Sequence, residues 1–120
     1  MRIAVTSQGE DLEAGVDPRF GRTSKFLIVE ADDMSFKVIE NSQSLDLPQG
    51  AGVQSAQNIA EHNPEVVLTG NCGPKAFQAL KAAGIGVVVG VDGKIGDAVQ
   101  AYLDGKYQSS KDANVEGHWA

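Results

Sequence analysis

The chain has 120 residues, enough for one core and too few for a multidomain enzyme. Hydrophobic residues make up 42% and charged residues 22%, a balance that excludes a disordered chain or a coiled coil. Ten Lys and Arg against sixteen Asp and Glu leave a net charge of -6, so nucleic acid and anionic membrane surfaces are poor partners.

Arg2 to Thr6 reads as a short strand and not as a signal peptide, and no apolar run approaches the roughly 20 residues that span a bilayer, so a cytoplasmic protein is expected. The stretch from Ser7 to Lys25 has neither helical nor alternating periodicity and is punctuated by Gly9, Gly15, Pro18 and Gly21. A loop this long inside a small domain is expected to be functional, and its glycines suggest that it is mobile and closes on a ligand. Phe26 to Ala31 and the segment around Phe36 and Val38 form a hairpin across the turn residues Asp32 to Ser35. A loop from Asn41 to Gly52 leads to a helix with Val53, Ala56, Ile59 and Ala60 on one face, stopped at His62-Asn63-Pro64 with Asn63 as its cap.

The pattern then alternates. Val66 to Leu68 is a buried strand, Pro74 to about Ala83 a helix closed by Gly84, and Val87 to Val89 a strand. A last helix starts near Ile95, turns Ala98, Val99, Tyr102 and Leu103 inward and ends at Gly105. This gives one domain over residues 1–105 and a polar, frayed tail over 106–120.

The order βββαβαβα, with short right-handed crossovers, predicts an α/β fold with a mixed five-stranded sheet of order 3-2-1-4-5. Its second strand alone is antiparallel, and helices cover its faces. Strands one, three, four and five then end at one edge, where open α/β sheets bind ligands. Four loops converge there: 7–25, 41–52, 69–74 and 90–94. Gly50-Ala51-Gly52 and Gly70-Asn71-Cys72-Gly73-Pro74 run into helix N-termini, whose free N–H groups and positive dipole end suit an anion. Arg19, Arg22, Lys25, Lys75 and Lys94 gather in or beside these loops, and Asp11, Glu13, Asp17 and Asp92 share them and could pair with the bases.

Several chemistries lack their parts. No Gly-Lys-Ser or Gly-Lys-Thr provides a phosphate cradle, and the glycines at 50–52 lack the third glycine of a dinucleotide fingerprint. His62 and His118 stand at no metal-site spacing and outside the convergent loops, which disfavours zinc binding and a Ser–His–Asp site. Apolar strand positions such as Ile3, Val5, Ile28 and Val38 disfavour a carboxylate-based nuclease. Cys72, the single cysteine, allows no intrachain disulfide and at most one protein thiolate on a cluster. At a helix start its pKa is expected to fall, which would suit a reactive or metal-binding thiolate, although a small buried turn residue fits equally well. A hydrolase or transferase built on Cys72 has no identifiable base.

Val16-Asp17-Pro18-Arg19-Phe20-Gly21-Arg22, Gly50-Ala51-Gly52 and Gly70-Asn71-Cys72-Gly73-Pro74-Lys75-Ala76-Phe77 together resemble the dinitrogenase iron–molybdenum cofactor biosynthesis family. That family includes NifX-like proteins, the C-terminal part of NifB and the small orange protein branch, which carries a molybdenum–copper sulfide cluster and is nearest in size. The resemblance spans Met1 to about Leu103. It implies an RNase H-like domain that binds, carries or helps assemble an anionic metal–sulfur cluster without acting as an enzyme. A molybdenum–copper sulfide cluster is the expected cargo and an iron–molybdenum cofactor or precursor the alternative, disfavoured because the motifs contain no histidine. The implied cofactor-binding residues are Arg19, Phe20, Gly21, Arg22, Gly50, Ala51, Gly52, Val53, Asn71, Cys72, Gly73 and Pro74, with Cys72 a candidate metal ligand. Arg19 and Arg22 would supply charge-assisted hydrogen bonds, and Phe20 and Val53 an apolar wall. A rival reading keeps the edge but makes it an adaptor surface for a protein partner such as a P-loop ATPase.

Overall fold

The computed structural model describes residues 1–41 and 50–110. Most of the expected 41–52 loop, and the tail beyond 110 with His118 and Trp119, lie outside the described residues.

Five strands, β1 (Arg2–Ser7), β2 (Lys25–Glu30), β3 (Ser35–Glu40), β4 (Val66–Leu68) and β5 (Gly86–Val88), alternate with three helices, α1 (Gly50–Ala60), α2 (Pro74–Ala82) and α3 (Ile95–Leu103). They form one sheet of order β3-β2-β1-β4-β5. β2 is antiparallel to both β1 and β3, whereas β1–β4 and β4–β5 are parallel. The ends of β1, β3, β4 and β5 therefore share one edge, as the sequence predicts.

Alternation along the strands divides the core. Ala4, Phe26, Ile28, Val67 and Val87 face α1 and α2, while Ile3, Val5, Leu27, Val29, Leu68 and Val88 face the side of α3. β1 and β2 are buried on both faces, which explains why they read as apolar runs without alternation.

Element ends follow local chemistry. Asn63 takes φ 55° after α1, and Gly84 and Gly105 take φ 78° and 81° after α2 and α3. α1 starts at Gly50, so Gly50-Ala51-Gly52 is its first turn and not a loop before it. β5 begins one residue earlier than predicted, and Leu103, expected inward, is 41% exposed. Residues 106–110 do not fray: the Ser110 N–H donates to the Val87 carbonyl (2.7 Å), laying the chain along the β5 edge, and Tyr107 packs on the α3-side core.

Candidate functional site

The segment between β1 and β2 leaves and returns at neighbouring points, because Ser7 pairs with Lys25. Its first half is sewn to the start of α3. The N–H groups of Ile95 and Gly96 donate to the carbonyls of Ala14 and Leu12 (both 2.9 Å), and the Val16 N–H donates to Gly93 O (2.9 Å). Lys94 Nζ lies 2.9 Å from Glu13 Oε2, and that hydrogen bond and charge raise the lysine's pKa. The Ile95 and Gly96 N–H groups at the start of α3 are thus already occupied, which removes them as anion donors.

The second half is stapled to the loop between β4 and α2. Asp17 and Thr6 are joined by two hydrogen bonds: the Asp17 N–H donates to Thr6 O (2.9 Å) and the Thr6 hydroxyl donates to Asp17 O (2.8 Å). The Asp17 carboxylate accepts the Arg19 N–H (3.0 Å), forming a tight local turn. Asn71 then clamps the next residues, its Nδ2 donating to Pro18 O (2.9 Å) and its carbonyl accepting the Phe20 N–H (3.0 Å). A parallel bridge joins Arg19 to Asn71. The two strips approach so closely that a Cβ on Gly70 would stand 2.7 Å from Pro18 O and 2.8 Å from Pro18 Cα, which is why this position is glycine.

Between the staples, Phe20–Arg22 makes one 3₁₀ turn packed against α1. Phe20 is wholly buried, with its ring tilted 55° against Phe26 at 5.6 Å between centroids. It therefore anchors the turn in the core, and its expected role as an exposed apolar wall is corrected. The half-buried Val53 and Pro74 and the exposed Pro18 remain as apolar surface. Burying Phe20 pushes Arg19 and Arg22 outward. Both are exposed, and among the described residues neither forms an ion pair.

Gly73 caps α2 with extended backbone (φ -78°, ψ 170°) and no side-chain cap, and Pro74 follows at the first helical position. The N–H groups of Lys75 and Ala76, in the first turn, lack helical acceptors, and the Arg19–Asn71 bridge brings the segment before α2 beside the arginine turn. Of the two readings open for Cys72, the structure matches the small buried turn residue. Its sulfur is wholly buried, the thiol contacts Gly73 O at 3.7 Å, and desolvation pushes its pKa from 9.0 up to about 12. The charged thiolate is disfavoured, which favours the small buried turn residue over the metal-binding thiolate. Among the described residues no three His, Cys, Asp or Glu side chains gather to hold a metal ion.

Residues 1–105 match the family described as dinitrogenase iron-molybdenum cofactor. The chain belongs to this family. It is similar to the apo form of the orange protein from Desulfovibrio gigas, with 44% identity and a TM-score of 0.89 over 95% of this chain and 96% of that one. A NifB-type protein from Thermotoga, of the DUF35 family, is 30% identical with a TM-score of 0.80, covering 97% and 98% of the two chains. An uncharacterised protein of Methanocaldococcus jannaschii is 33% identical over 111 residues, 90% of each chain.

A cleft of about 270 Å³ in this dinitrogenase cofactor family chain lies at the other edge of the sheet, lined by Arg2, Ile28, Glu30, Lys37 and His62 among others. Its fixed charges cancel: Arg2 Nε donates to Glu30 Oε2 (2.8 Å) and Arg2 Nη1 to His62 O (2.7 Å). The arginine edge carries two exposed cations that form no ion pair among the described residues, beside a helix start with no side-chain cap, so its chemistry favours an anion more than the cleft does.

The sequence reading missed Asn41, Ser55 and Asn58. The Asn41 amide donates to Thr23 O and to Ser55 Oγ, and its Oδ1 accepts from Asn58 Nδ2, all at 2.8 Å. Isolated polar residues carry no periodicity, and Asn41 is 14 and 17 positions from Ser55 and Asn58, so no pattern in the sequence signals this network.

Proposed function

We propose that the chain binds and carries, or helps assemble, an anionic metal–sulfur cluster in the cytoplasm without catalysing a reaction, and that the cluster is of the molybdenum–copper sulfide type. The observation that carries this reading is the Arg19–Asn71 bridge, which sets the outward arginines beside the start of α2 in a chain of the dinitrogenase cofactor family. Two exposed guanidinium groups, the N–H groups of the α2 first turn and the packing of the arginine turn on α1 support an anion-binding rim on a chain of net charge -6. Such a rim suits a cargo whose metals already carry their own sulfide. The resemblance to the orange protein branch favours molybdenum and copper, and the absence of histidine from the matching motifs disfavours direct ligation of an iron–molybdenum cofactor.

The test is anaerobic titration of the metal-free chain with tetrathiomolybdate and copper, followed by gel filtration. Colour and both metals co-eluting with protein in fixed ratio are expected. Colour that separates from the protein overturns the reading. Arg19→Ala and Arg22→Ala each remove a hydrogen bond to a charged ligand, about 1.5–3 kcal/mol, and should weaken retention by roughly tenfold or more. Retention equal to that of the parent chain would remove the arginines from the site.

A further inference from the structure

We infer that Asn41 is a positioning residue for the anion rim, holding the arginine turn in register with α1; the inference rests on the function proposed above. Asn41 is only 7% exposed. An asparagine taken out of water must make its hydrogen bonds within the protein, and these bonds have a specific destination. One amide hydrogen goes to Thr23 O, immediately after the turn, and the other to Ser55 Oγ, within α1. Ser55 Oγ in turn reaches Gly21 O at 3.4 Å, inside the turn itself. Asn58, one helical turn further along α1, donates to Asn41 Oδ1 at 2.8 Å.

The backbone of Asn41 is tied as well, its N–H donating to Ser24 O at 2.9 Å. A single side chain therefore joins the exit of the Phe20–Arg22 turn to the helix whose first turn completes the rim. Asn71 fixes the entrance of the same turn from the α2 side. Arg22 thus lies between two clamps that come from different elements. Releasing the Asn41 clamp would let the turn shift relative to α1, so that Arg22 and the α1 first turn no longer meet one anion. Asn41 touches no ligand in this account and acts through Arg22.

The experiment measures tetrathiomolybdate affinity and the visible circular dichroism of the bound chromophore for the full chain and for Asn41→Ala, Ser55→Ala, Arg22→Ala and the Asn41→Ala/Arg22→Ala double variant. Val99→Ala, a buried substitution under α3 on the opposite face of the sheet, serves as the stability control. We expect Asn41→Ala to weaken affinity roughly tenfold, as is common for residues that orient a binding group. Ser55→Ala should weaken it less, with a changed dichroism in both, and Val99→Ala should leave affinity and dichroism unaltered. In the double variant the losses should fall well short of additive, because Asn41 has nothing left to position once Arg22 is gone. Fully additive losses, a folded Asn41→Ala chain with parental affinity and dichroism, or an equal loss in Val99→Ala would overturn the inference. Failure of the parent chain to bind tetrathiomolybdate would instead overturn the function on which it rests.

Discussion

Cys72 keeps its proton because burial strips the ionised sulfur of solvent. With the folded thiol pushed up to about 12 from 9.0, its contribution to stability is complete below pH 9 and disappears as the pH rises through that window, where the unfolded chain loses the proton first. Chemical unfolding at pH 8 and pH 10.5 should therefore show a loss of stability at the higher pH that is smaller in Cys72→Ala. At pH 8 the native thiol should react with iodoacetamide far more slowly than it does in urea, and equal rates would contradict its burial. The position of Cys72 at a helix start was legible in the sequence, but its orientation was not. A dipole lowers a thiol pKa only where water or a cation can share the charge, and sequence spacing does not say which way a side chain points. The same gap explains Phe20: flanked by two arginines and a glycine it resembles a surface residue, yet its ring fills the space beside Phe26.

At the scale of elements, the approach of the 17–22 strip to the β4–α2 loop carries the site. Gly70→Ala would drive a methyl group into the Pro18 backbone, which cannot swing aside as a flexible side chain does. We expect a loss of about 1–3 kcal/mol in stability together with weakened cluster retention. Gly84→Ala, at φ 78° with open space around it, should cost about 1 kcal/mol with retention unchanged. Urea titration and gel filtration of both variants separate the two effects, and equal retention in Gly70→Ala would show that the strip does not shape the site. The helices and strands themselves were legible because apolar spacing and Gly or Pro punctuation agreed at nearly every boundary. The closure of the α3 start was not, since backbone-to-backbone stitching of residues 12–16 to 93–96 leaves no mark on side-chain pattern.

For the whole molecule, the order β3-β2-β1-β4-β5 followed from short connections and the handedness of crossovers, so topology was the most readable level. The destination of the chain after α3 was the least readable, because polar residues that lie along a strand edge look like those of a free tail. Removing residues 106–120 should expose the β5 edge, lower the midpoint of thermal unfolding by a few degrees and increase self-association at high concentration. Light scattering and calorimetry on the shortened chain would show this, and unchanged behaviour would mean the edge needs no cover.

The pairing of Ser7 with Lys25 means that the sheet itself brings the two ends of the intervening segment together. Little of the entropy of closing that excursion is then left for its own residues to overcome. Its halves have separate allegiances: 8–16 is committed to α3, and 17–24 to α1 and α2. The second half alone can be treated as an exchangeable cassette. Transplanting residues 17–24 between relatives of this scaffold, with Gly70 and Asn71 retained as the socket, offers a route to altering cargo preference while the strands remain untouched.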